Sequence, residues 1–230
     1  MLGASTMTNF DAAASLNRFA IACLPALLGI ILHEVAHGWM AKRCGDPTAY
    51  SLGRLTLNPL PHIDPMGLLV FALTSISSPF IFGWAKPVPI NIRYLRQPAR
   101  DMMLIALAGP LTNMLLALFF AVALRLVLQI FPPALWLEAS SYQFVLRMLK
   151  VGVVINFSLA WLNLLPIPPL DGSRILTWLL PGDLGWRFQS LERYGFVILI
   201  LLLATGALGS ILGPLVLGSE AFALSLVGLR

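Results

Sequence analysis

Charge is what this sequence has least of. Only 11% of its 230 residues are Asp, Glu, Lys or Arg, where a soluble domain carries about 25%. The hydrophobic share is 58% and the mean hydropathy +0.85, so the apolar excess calls for lipid rather than water. Cysteine is nearly absent. Cys23 and Cys44 lack CxxC spacing, which excludes a disulfide framework and leaves two small buried hydrophobes. The net charge of +5 could suit a nucleic acid, but no Lys/Arg cluster with interleaved aromatics occurs, and nucleic acid is excluded as a partner. No repeat, low-complexity tract or flexible linker interrupts the chain. Residues 1–230 therefore read as one membrane-embedded domain, with its core at roughly 16–195. No cleavable leader is expected either, because the first apolar stretch is long and carries polar chemistry in its second half.

Charge-free runs locate the membrane segments. Residues 19–41 contain one charged residue, Glu34; residues 65–85, 102–124, 151–170 and 194–219 contain none. A helix needs about 20 apolar residues to cross a hydrocarbon core of roughly 30 Å. Lys42, Arg43 and Arg54 follow the first run, Lys86, Arg93, Arg96 and Arg100 precede the third, and Arg174, Arg187 and Arg193 separate the last two. Basic loops face the cytoplasm, so all three are expected there, with the loop near 126–144 outside. A crossing by 65–85 would put two basic loops on opposite sides, and that segment is instead expected to re-enter. Residues 48–58 alternate small or polar residues with Leu and Tyr, and 86–93 carries alternate prolines; both suggest strands. The expected fold is an all-α polytopic membrane protein with about four full transmembrane helices, a re-entrant segment and a small membrane-associated β-sheet. That sheet would have an open edge, because proline-bearing strands belong at edges.

The chemistry concentrates in His33-Glu34-Val35-Ala36-His37. Residues four apart share a helix face, so two imidazoles can reach one metal with the intervening Glu as general base. The bland alternative, two histidines and a Glu packed against polar neighbours, is poor inside an apolar helix, where ionisable groups are costly. Catalytic zinc usually takes three protein ligands and leaves one open position. The one other histidine is His62, in Pro61-His62-Ile63-Asp64-Pro65, where a structural role outweighs contact with the site or a second metal. Asp11, Asp46, Asp183 and Glu220 read as loop or tail residues, and Glu138 as part of the outer loop. Asp171 ends a charge-free run within Asn163-Leu164-Leu165-Pro166-Ile167-Pro168-Pro169-Leu170-Asp171-Gly172. Three prolines within four residues cannot continue a helix, and the break can present a carboxylate inward. An ordinary Asp-Gly turn is the alternative, and the need for a third ligand favours Asp171. Depth agrees, since His33 lies about 21 Å along a helix from Phe19, and Asp171 reaches the same side only if 65–85 does not cross.

Together these motifs resemble the site-2 protease family of intramembrane metalloproteases. The HExxH is His33, Glu34 and His37, the NxxPxPxLDG motif runs from Asn163 to Gly172, and Gly109-Pro110-Leu111-Thr112-Asn113 is a third family-like element. Residues 53–66 and 83–91 look like the compact prokaryotic subgroup, and the resemblance covers roughly residues 20–195. It implies one Zn2+ per chain bound by His33, His37 and Asp171, Glu34 as catalytic base, and Asn163 holding substrate or the oxyanion. It implies a transmembrane protein substrate, a lipid bilayer environment and a multi-pass place in a prokaryotic inner membrane, with the active site towards the cytoplasm. The sequence has no room for a PDZ domain and no apolar span before the HExxH segment, so regulation in larger members is not expected to carry over. Strands 48–58 and 86–93 could take an unwound substrate by β-addition, or Pro87 and Pro89 could simply cap a surface strand. Asn113 and Gly109 read as helix-packing residues. Two competing classes are a membrane metal or ion transporter, which often shows paired broken helices, and a catalytically inactive scaffold that binds membrane proteins.

Overall fold

A computed structural model describes residues 12–77, 84–131 and 140–229. These residues are mostly helical. Four helices are long and apolar enough to cross a membrane: Leu16–Cys44 of α1 (Ala12–Cys44), α4 (Pro98–Ile130), α5 (Ser140–Leu164) and α9 (Ala207–Leu226). Between them lie α2 (Thr48–Ser51), α3 (Pro65–Ser77), α6 (Asp171–Leu179), α7 (Leu184–Gln189) and α8 (Glu192–Ala204). The segment expected outside, near 126–144, is helical up to Ile130 and from Ser140 onward; its centre, with Glu138, lies outside the described residues, as does Asp11.

Helices α1, α4 and α5 pack on one another, and α9 packs against α5. The contact between α4, α5 and α9 is a cluster of Ala117, Phe120, Ala121 and Leu124 with Leu149, Val153, Phe157, Val216 and Ala223. Gly152 makes the α4–α5 approach possible: a Cβ there would lie 2.6 Å from the Phe120 ring. Small residues at such crossings let helices approach closely in lipid, where packing replaces the hydrophobic effect as the driving force.

The described residues of the apolar run 65–85 are helix α3 and the non-helical residues 84 and 85. Asp64 accepts a hydrogen bond from Gly67 N at 2.9 Å, with Pro65 at the first helical position, a start that favours a helix. The described part of this helix, α3, has 13 residues. Both ends of the segment return to one place. Ile63 and Ala85 form an antiparallel bridge, and Lys86 N donates to His62 O at 2.9 Å.

Three expectations are corrected. The small β-sheet is not formed by the described residues, whose one β-pairing is that isolated bridge. Residues 48–58 begin instead with the helical turn α2, just after Asp46, which accepts from Thr48 N at 2.9 Å and Thr48 Oγ1 at 2.5 Å. The expected strand 86–93 is not a strand either: residues 86–91 have no regular structure, a helical turn follows at Ile92–Tyr94, and there is no open edge. Pro87 and Pro89 have no N–H, while Lys86 N, Val88 N and Asn91 N donate to His62 O, Glu34 Oε2 and Asp46 Oδ2. The run 194–219 is two helices rather than one, parted at Gly206, whose φ of +74° ends α8 in the left-handed conformation that glycine tolerates. Glu220 consequently lies inside α9, not in a tail.

Candidate metal centre

His33 and His37 lie one turn apart on α1 and face α4. They fit because residue 109 is glycine: a Cβ there would stand 2.6 Å from His33 Cε1 and Nε2 and from His37 Cε1. Asp171 comes from a different element. Helix α5 stops at Leu164, the proline-rich stretch Leu165–Pro169 is non-helical, and α6 opens on Asp171. Gly172 is required there because a Cβ would collide with Leu164 O. An anion in the first turn of α6 is also favoured by the helix dipole.

Three ligand-type atoms meet at this point. Asp171 Oδ2 lies 3.1 Å from His33 Nε2 and 3.2 Å from His37 Nε2, and the two Nε2 atoms are 2.9 Å apart. The far side of each ring decides what they are. His33 Nδ1 sits 2.6 Å from Asn113 Oδ1 and His37 Nδ1 sits 2.7 Å from Ile105 O. Both partners are oxygen acceptors, so both Nδ1 atoms carry the proton and both Nε2 atoms present lone pairs in the neutral rings. Asp171 Oδ2 is accordingly buried with no hydrogen-bond donor. Three mutually repelling acceptors in a poorly solvated site need a cation between them, and two imidazole nitrogens plus a carboxylate oxygen are a zinc donor set with room for a fourth ligand. The residues present fit a zinc ion. The site is not sealed, since the Asp171 side chain keeps 15% of its exposure.

The remaining candidates are placed differently. Glu34 Oε2 accepts from Val88 N at 2.7 Å, which pins the carboxylate against the extended segment 84–91. Asn163 donates from Nδ2 to Leu159 O in its own helix at 2.9 Å. His62 stands apart from the cluster: it is buried, and its Nε2 lies 2.9 Å from Thr56 O, a structural tie. Among the described residues, His33, His37 and Asp171 are the one group able to hold a metal ion. What sequence reasoning missed is Asn113, taken as a packing residue but in contact with His33. A buried amide in a charge-free helix was the available signal.

A sequence model of the family described as Peptidase family M50 matches residues 127–203, a stretch that includes the Asn163–Gly172 motif. "Putative zinc metalloprotease YwhC" of Bacillus subtilis is 33% identical over 189 residues, which cover 82% of this chain and 82% of that protein. The chain belongs to peptidase family M50, the site-2 protease family. "Putative zinc metalloprotease Rip2" of Mycolicibacterium smegmatis is 35% identical over 187 residues, covering 79% of this chain and 66% of the relative's length. "Putative zinc metalloprotease MJ0611" of Methanocaldococcus jannaschii is 31% identical over 183 residues, covering 80% and 81%. No solved structure matches the chain. Family M50 membership and the four long apolar helices make this an integral membrane protein of the metalloprotease class.

Proposed function

We propose that this protein is an intramembrane zinc endopeptidase that hydrolyses transmembrane segments of other membrane proteins. The observation that carries the reading is the donorless meeting of His33 Nε2, His37 Nε2 and Asp171 Oδ2 beside Glu34, on a helix apolar enough to lie in lipid. These three side chains would hold one zinc ion per chain. Zinc supplies Lewis acidity, activating water near neutral pH and polarising a carbonyl.

The chain's own groups do the rest. Glu34 is the proton carrier, taking a proton from the attacking water and delivering it to the departing amine. Its bond to Val88 N holds the carboxylate in one place and leaves its other oxygen for that work. Asn163 would turn its amide from Leu159 O towards the substrate carbonyl and stabilise the charge that develops there. Helices α4 and α6 exclude most water from the site, so charge–charge effects there are strong.

The segment from Ile63 to Ala85 is proposed to dip into the bilayer and return, since its two ends meet. With that parity the basic loops and the metal ligands share the cytoplasmic side of a prokaryotic inner membrane, and residues 1–230 act as a single domain. Strand addition along 84–91 is a weaker component, because two of its positions are proline and the donors of Lys86, Val88 and Asn91 are already engaged.

The test is cleavage of a panel of transmembrane helices by the purified protein in liposomes, beside Glu34→Gln. Expected is cleavage by wild type, none by Glu34→Gln, and equal zinc in both. Zinc flux that survives the substitution would favour a transporter. Substrate capture without cleavage by wild type would favour a scaffold.

A further inference from the structure

The histidine tautomer at the metal centre is dictated by polar groups on two other helices, and the chain of constraint can be followed without ambiguity. Asn156 on α5 and Asn113 on α4 are completely buried. Asn156 Nδ2 lies 2.9 Å from Gly152 O. A backbone carbonyl only accepts, so this end of the amide is the nitrogen, and Asn156 Oδ1 points the other way. There it meets Asn113 Nδ2 at 3.1 Å. Asn113 Nδ2 also donates to Gly29 O on α1 at 3.0 Å, a second carbonyl that fixes the same orientation. Asn113 Oδ1 is thereby turned to His33 Nδ1 at 2.6 Å and can only accept. The proton sits on Nδ1 and the lone pair of Nε2 faces Asp171.

We infer that Asn113 and Asn156 are positioning residues: a buried amide relay, anchored on the carbonyls of Gly29 and Gly152, that locks His33 as an Nε2 metal ligand and ties α1, α4 and α5 at that depth. This rests on the zinc reading above. Gly29 belongs to the device, because a Cβ there would lie 2.6 Å from Asn156 Oδ1 and 3.3 Å from Asn113 Nδ2. Groups that orient a ligating histidine typically change metal affinity by about 10–100-fold when lost. The relay differs from ordinary helix-bridging polarity in having a direction, and direction is what a test can read.

The experiment measures the zinc Kd of the detergent-solubilised full chain by chelator competition, with the thermal midpoint of the metal-free protein and the absorption of its Co2+-loaded form. Asn113→Leu, which removes the acceptor, should weaken zinc about 10–100-fold and alter the Co2+ spectrum. Asn113→Asp keeps an acceptor at Nδ1 and should retain affinity near that of wild type, although it loses both donated bonds and lowers the midpoint. Ser219→Ala, which breaks the Trp161–Ser219 bond between α5 and α9, should leave zinc affinity unchanged. A folded Asn113→Leu with wild-type affinity, or an Asn113→Asp as weak as Asn113→Leu, overturns the inference. If Asn113→Leu does not fold, Gly29→Ala gives the same reading: about tenfold weaker zinc supports the relay, and unchanged affinity overturns it. Failure of wild type itself to bind zinc overturns both this inference and the zinc reading; binding by wild type with no response to these variants overturns this inference alone.

Discussion

Asp46, just after α1, and Asp171, at the start of α6, are both shielded carboxylates, yet their surroundings are opposite. Asp46 is matched: Oδ1 takes Thr48 N and Thr48 Oγ1, and Oδ2 takes Asn91 N. Asp171 Oδ2 has two nitrogen lone pairs for company and no donor. The same contrast separates His62, tied to a loop carbonyl, from His33 and His37, whose outer nitrogens converge. Buried polar groups in native proteins are nearly always paired; Arg54 Nε and His62 Nδ1 are buried without a partner too, and what sets Asp171 apart is that two imidazole nitrogens converge on its donorless oxygen. The carboxylate of Asp46 joins the start of α2 to Asn91, whereas His33, His37 and Asp171 bring three ligand-type atoms together.

The largest break in that comparison is Glu34→Gln. Its amide oxygen can still accept from Val88 N, so the scaffold side survives while proton transfer is lost. Cleavage should fall by about 10²–10⁴-fold, measured in liposomes, with zinc content unchanged. Next comes Asp171→Ala, which should weaken zinc by more than the roughly 100-fold that loss of an orienting group costs, measured by chelator competition. Gly109→Ala should act on the same centre from the α4 side. Its methyl reaches both imidazoles, so zinc affinity should drop while the polar inventory is untouched. The smallest effect on the metal, and the sharpest contrast, is Asp46→Ala. Leaving Asn91 N and Thr48 N without their acceptor should cost about 1–3 kcal/mol of stability, seen as a lower thermal midpoint, with wild-type zinc content. An Asp46→Ala protein that folds normally but loses zinc would erase the distinction between the two regions.

Much of the centre could be read from the chain because its signals are local. HExxH needs only helical spacing, and the prolines of 166–169 break a helix wherever they occur. The Ile63–Ala85 bridge joins the two ends of a segment whose flanking basic residues were expected on one face. What escaped was non-local. Residues 48–58 alternate like a strand, but they begin with the helical turn Thr48–Ser51. The expected strand 86–93 is not formed and ends in the helical turn Ile92–Tyr94; the carboxylates of Glu34 and Asp46, which claim two donors of this segment, lie 54 and 45 residues away. The partner of His33 lies 80 residues on, and no spacing rule pairs Asn113 with it. The break at Gly206 was hidden because glycine is ordinary in transmembrane helices.

The central claim is that two imidazoles and one carboxylate share one ion. X-ray absorption at the zinc edge of the purified, singly loaded protein addresses it most directly. The account predicts imidazole nitrogens at about 2.0–2.1 Å with oxygen at about 2.0–2.2 Å and no sulfur, and loss of the bound zinc in Asp171→Ala. A sulfur shell at about 2.3 Å, or an unchanged spectrum with full zinc in Asp171→Ala, would contradict it.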